Sequence, residues 1–129
     1  MSSTMFPTSQ DIYIEVNGKK LAVVESYRVQ SSQSSKYIEA FGESEPVGTI
    51  SGRVVHSIYL SRVCVCIDTI EDNVDFYGLS GFNLVVVKPD RRIVYSGCEW
   101  VNIKESASLN DVVFENIEII ASKRMEIRS

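Results

Sequence analysis

From Asp11 the chain alternates, with Ile12, Ile14 and Val16 in one phase and Tyr13 and Glu15 in the other, and Asn17-Gly18 follows at once. A period of two marks a strand with one buried face. Asn-Gly supplies the two positive φ angles of a type I′ turn, so a hairpin is predicted. Its return strand covers about Lys20–Val29, with Leu21, Val23, Tyr27 and Val29 in one phase, broken by Glu25. Gln30–Lys36 holds no apolar residue and reads as a loop or a mobile strand tip. Tyr37–Phe41 follows as a short strand, and Gly42–Gly48 (GESEPVG) as an exposed loop. Thr49–Val63 is rich in β-formers, with Ile50, Val54, Ile58 and Leu60 in one phase and Val55 and Tyr59 in the other. Strands usually run about five or six residues. This one either bends, at Gly52, or projects beyond the body of the domain.

Cys64–Ile70 continues apolar, and IEDNVDFYGL after it predicts the one helix. Glu71, Asp72 and Asp75 crowd its first turns, where the helix dipole favours them. Ile70, Val74 and Tyr77 form its apolar stripe, and Gly78 and Gly81 end it. Phe82–Val87 reads as a strand and KPDRR as a turn around Pro89-Asp90. Arg92–Tyr95 is the partner strand and resumes after Gly97 as Glu99–Ile103. Ser106–Asp111 is a polar loop and Val112–Ala121 a last long strand. The tail SKRMEIRS is polar and expected to fray.

The pattern predicts a mainly β fold: a small antiparallel β-barrel or sandwich with one short α-helix. Residues 1–10 form a flexible N-terminal arm, 11–123 a single barrel domain and 124–129 a C-terminal tail. Val112-Val113-Phe114, and Ile117 with Ile119-Ile120, are apolar in both phases. A strand wet on one side alternates more cleanly. Both faces are therefore expected to be covered, one by the interior and the other by the helix or a neighbouring subunit.

Composition narrows the function classes. The 129 residues suit one domain. Thirteen basic against seventeen acidic residues give a net charge of −4, which argues against a free-standing nucleic-acid binder. Apolar runs such as Leu84–Val87 fall far short of the roughly 20 residues of a membrane span. MSSTMFPTSQ has neither a basic nor an apolar signal region, so a non-exported protein is expected. Three cysteines, an odd number, fit free thiols in a reducing compartment. Cys64, Cys66, Cys98 and the only histidine, His56, are the inventory of a zinc site, but no Cys-x-x-Cys knuckle is present. No metal and no cofactor are expected.

Chemistry-bearing motifs are absent. Ser57 adjoins His56 in sequence, but consecutive strand residues point to opposite faces. Gly78-Leu79-Ser80-Gly81 lacks the spacing of a nucleophile elbow. There is no P-loop, dinucleotide fingerprint or H-E-x-x-H, so no catalytic residue is assigned and no enzyme is expected. Glu43 and Glu45 sit in the Gly/Pro loop as solvated carboxylates. Lys88, Arg91 and Arg92 flank a turn, where charge discourages stray strand pairing; phosphate or an acidic partner patch is the alternative contact. Trp100 reads as a core residue.

In order, the chain offers a polar arm, an Asn-Gly hairpin, a polar loop, AFGESEPVGTISGRVVHSIYLSRV, a short helix and closing strands that end in NDVVFENIEIIAS. Over about Asp11–Lys123 this resembles the tail-tube proteins of contractile-tailed phages and phage-tail-like bacteriocins. The resemblance implies a β-barrel subunit that joins its neighbours in a ring, as in the hexameric rings of such tubes. Rings would stack into a conduit for DNA or for envelope penetration. It implies partners in other copies of itself and in sheath, tape-measure and baseplate proteins, with DNA only as non-specific cargo. It places the chain in a bacterial host cytoplasm during assembly and then in the particle. Phe41, Pro46, Val47, Ile50 and Tyr59 are the expected subunit-interface residues. The alternatives are a single-ring adaptor, tube initiator or terminator of the baseplate or neck, and a monomeric β-barrel module that binds a peptide or carbohydrate.

Overall fold

The computed structural model describes residues 11–38, 42, 45, 48–66, 69, 75–107 and 112–128. The fold is mainly β and antiparallel. It comprises β1 (Asp11–Val16), β2 (Lys19–Ile38), β3 (Gly48–Val65), β4 (Ser80–Val87), β5 (Arg91–Ala107), β6 (Val112–Ala121) and β7 (Lys123–Arg128), with a 3₁₀ turn at Phe76–Gly78. The sheet order is β4-β1-β2-β3-β6-β5-β7, and β4 also pairs with β5. The pairings β1–β2–β3–β6–β5–β4–β1 therefore close a circuit of six strands, the connectivity that a small barrel requires. β5 serves three neighbours by its length. Arg91–Ser96 pairs with β7 and Glu99–Ala107 with β6, while its other edge takes β4.

Asn17 (φ 53°) and Gly18 (φ 81°) form the predicted left-handed turn between β1 and β2. The core lies inside the circuit. Ile14, Ile58, Leu60, Val63, Leu84, Val86 and Ile119 are almost wholly buried there, with Ile12, Phe82, Ile93, Tyr95, Phe114 and Ile117 around them. Irregular pairing sets which residues point inward. Glu15 pairs with Lys20 and Ile14 with Ala22, so Leu21 is the extra residue of a bulge. Leu21, Ala22 and Val24 are buried as a result, and Val23, expected on the inner face, turns outward.

Three expectations change. The helix expected over 70–79 does not run through its last residues. Asp75 is extended and caps the short turn, its carboxylate accepting from Tyr77 N at 3.0 Å. Ile70–Val74 lie outside the described residues. Phe76 alone from that turn enters the core, against Phe114, and Tyr77 of the expected apolar stripe is exposed. Second, of the loop and the strand tip left open for Gln30–Lys36, the loop is ruled out: backbone pairing with β3 continues through it without any apolar side chain. Third, the tail does not fray: Lys123–Arg128 is β7, laddered onto β5 and backed by ion pairs of Glu126 with Arg91, Arg124 and Arg128.

Candidate functional site

The feature that sets this fold apart from a plain closed circuit is the length of the β2–β3 hairpin. β1 covers β2 only as far as Val23, and β6 covers β3 only from His56 onward. Beyond those points β2 and β3 have only each other, pairing from Ser31↔His56 to Ile38↔Gly48. At about 3.3 Å per residue this two-stranded arm extends roughly 23 Å past the circuit. Val24–Ile38 and Gly48–Val55 each present an edge to which no described strand is paired. Every residue from Ser31 to Ile38 is exposed, and Tyr37, Ile38 and Val54 expose apolar surface at 69%, 42% and 38%. The arm and the β4–β5 turn leave the circuit at the end opposite Asn17-Gly18, since Asp11 pairs with Val87 and β2 runs away from the turn.

The base of the arm is built around His56. Its ring is buried, with Nδ1 2.7 Å from Ser31 Oγ across the β2–β3 ladder, and it meets the Tyr95 ring edge-on at 5.6 Å. Arg124 of β7 donates from Nε to the Tyr95 hydroxyl at 3.4 Å and from Nη2 to Glu126 Oε2 at 3.3 Å. Burial, and secondarily the Arg124 guanidinium, hold the His56 imidazole below its ordinary value. The hydroxyl beside His56 is thus that of Ser31, twenty-five residues away, and not Ser57. Sequence reading missed the pair because cross-strand register decides it. The two side chains tie both strands of the arm to β5 and β7 where the arm leaves the circuit.

Of the expected interface residues, Phe41, Pro46 and Val47 lie outside the described residues. Ile50 is in the arm, where its backbone pairs with Lys36. Tyr59 is on the outer face of the circuit, between Arg28 and Glu118, with the Arg28 guanidinium 5.0 Å above its ring. It lies in an open groove of about 500 Å³ whose polar lining includes Ser26, Ser61, Asn102 and Asn116. The arm's own exposed apolar residues, Tyr37, Ile38 and Val54, were readable only as strand formers. Their exposure follows from where the neighbouring strands stop.

The cysteines are free: Cys64 is exposed, Cys66 half-buried and Cys98 buried. Burial pushes the Cys98 thiol up to about 12. Among the described residues no group of three or more His, Cys, Asp or Glu side chains could hold a metal ion. No helix among them is long and apolar enough to cross a membrane. No protein-family model and no curated protein matches the chain.

Proposed function

We propose that the chain is a structural subunit that self-assembles into rings, and that the rings stack as the inner tube of a contractile phage-type or bacteriocin-type particle. The observation that carries this reading is the β2–β3 arm, a two-stranded ribbon with open edges and apolar side chains on a surface that no described part of the molecule covers. An isolated two-stranded ribbon is marginal in water. Exposed strand edges also invite pairing with another chain. A second copy satisfies both, and a head-to-tail contact of this kind closes into rings or propagates. The resemblance in element order supplies the particle; Phe41, Pro46, Val47 and Ile50 in and after the punctuated loop would reach an adjacent ring, and Tyr59 a lateral neighbour.

Negative-stain microscopy of the purified protein at high concentration tests the reading. Hollow tubes are expected, and deleting Gly42–Gly48 should abolish stacking while the β-sheet circular dichroism is kept. Single rings would instead favour the adaptor of a baseplate or neck. A strictly monomeric species at every concentration and salt would overturn both. A second reading, a monomeric module binding a peptide or carbohydrate, is favoured by the open groove beside Tyr59, whose hydroxyls and amides suit such ligands.

A further inference from the structure

The end of the circuit that carries the arm also gathers positive charge. Lys88-Pro89-Asp90-Arg91 is a tight turn, with Lys88 N donating to Arg91 O at 2.8 Å. Arg91 then pairs with Arg128, and Arg92 faces Ile127 on one side and Val87 on the other. Five cations, Lys88, Arg91, Arg92, Arg124 and Arg128, meet two carboxylates, Asp90 and Glu126, in this region. Glu126 is shared among three arginines, at 3.6 Å from Arg91, 3.3 Å from Arg124 and 3.0 Å from Arg128. Asp90 is 3.7 Å from Arg128. Among the described residues neither Lys88 nor Arg92 has an ion-pair partner. Arg91 Nε is buried and has no acceptor among the described residues.

Four of these cations, Lys88, Arg91, Arg92 and Arg128, line a depression of about 280 Å³ together with Val87 and Ile127. We infer that it is a binding site for phosphate groups. The excess of cations is local, and over a Debye length of about 8–10 Å the local charge, not the net −4, decides what is attracted. Guanidinium forks match the tetrahedral oxygens of phosphate, and a lysine adds a point charge. The carboxylates already present leave three cations uncompensated. A phosphate carries more anionic oxygen into one small depression than a carboxylate does, and its ester neighbours have Val87 and Ile127 to lie against. The inference stands apart from the ring reading, since it needs only this turn and β7.

Two sources of phosphate share this chemistry, so the test has two arms on the full-length protein. Thermal melts in sodium phosphate against sodium chloride at matched ionic strength read free phosphate. Fluorescence anisotropy of a labelled 20-base-pair DNA duplex reads phosphodiester. A saturable rise in melting temperature, or DNA binding whose logarithm falls with the logarithm of salt at a slope of about −3, is expected. Lys88→Glu with Arg92→Glu should weaken the effect at least tenfold, while Arg53→Gln in the arm leaves it unchanged. Response to phosphate alone identifies a small-anion site, and response to DNA a polymer site. The inference is overturned if neither anion acts, or if the double variant responds like the wild type. It is equally overturned if only a glutamate-rich peptide binds in a Lys88- and Arg92-dependent way, which would make the patch a protein-docking surface.

Discussion

Gly52 shows how much the arm depends on single positions. A Cβ there would run into the Ser34 carbonyl oxygen and lie 2.9 Å from Ser34 Cβ on the facing strand, at the register irregularity of the hairpin, and a backbone carbonyl, unlike the end of a flexible side chain, does not swing aside. Gly52→Ala should therefore unpair the distal arm at a local cost of about 1–3 kcal/mol. Hydrogen exchange would report it as lost amide protection over 31–38, with the melting temperature of the circuit nearly unchanged. At the arm's base, His56 is buried neutral, with Ser31, Tyr95, Arg124 and, through Arg124, Glu126 around it. Its folded pKa is below the unfolded 6.5, so the unfolded chain takes up the proton first. Stability is full above pH 6.5 and falls as pH drops from there towards the folded value. Denaturation midpoints across that window should fall for the wild type and flatten for His56→Gln, which keeps a hydrogen-bonding partner for Ser31. Thiol chemistry separates the cysteines in the same way. Iodoacetamide should label exposed Cys64 in the native state and reach Cys98, buried and raised to about 12, only on unfolding, as peptide mass mapping would read.

At the scale of elements, the sequence foretold what local rules decide. Asn17-Gly18 predicted its turn because only that backbone geometry joins two strands there, and Lys88–Arg91 was placed around Pro89-Asp90 for a similar reason. The length of β3 was legible as a choice between a bend and a projection; the strand pairing shows the projection, and a register irregularity at Gly52-Arg53 besides. Bulges were not legible, because Leu21 shifts phase by pairing, which no side-chain alternation records. QSSQSSK lacks every apolar signal, and its strand exists only because β3 lies beside it. Nor could hydropathy find β7, whose polar residues are held by a backbone ladder and by Glu126. Of the candidate site, Thr49–Val55 was legible as strand, whereas the Ser31–His56 tie and the exposed arm faces depend on partners distant in sequence. β7 offers a test at this scale. Ending the chain at Ser122 would strip the ladder from Arg91–Ser96 and remove Arg124 from Tyr95. The six paired positions make about six ladder bonds, and at the low end of about 0.5 kcal/mol net for each at this open edge a loss of about 3 kcal/mol is expected in urea denaturation.

For the whole molecule, the circuit and the arm place opposite demands on the same sequence. The circuit holds the buried core, with Ile14, Ile58, Leu60, Leu84 and Ile119 almost wholly covered, and its six strands pair in a closed round. The arm keeps strand pairing alive where neither face has a core, at a cost in ordered backbone that the isolated subunit does not recover. Tyr37, Ile38 and Val54 contribute little to the subunit's own stability, since they are exposed in it. If a second copy covers the arm, their area counts at assembly. Replacing them together, Tyr37→Ser, Ile38→Thr and Val54→Thr, keeps β propensity at two positions and removes apolar area on the order of 100 Å². At about 25 cal/mol per Å² that is about 2.5 kcal/mol. It corresponds to roughly 70-fold in the association constant. Sedimentation velocity over a concentration series should show assembly displaced upward by one to two decades, against a melting temperature within about 2 °C of the wild type. An assembly midpoint that does not move would mean that the arm stays exposed between subunits, and the copy-to-copy contact would then have to be sought on the outer face around Tyr59.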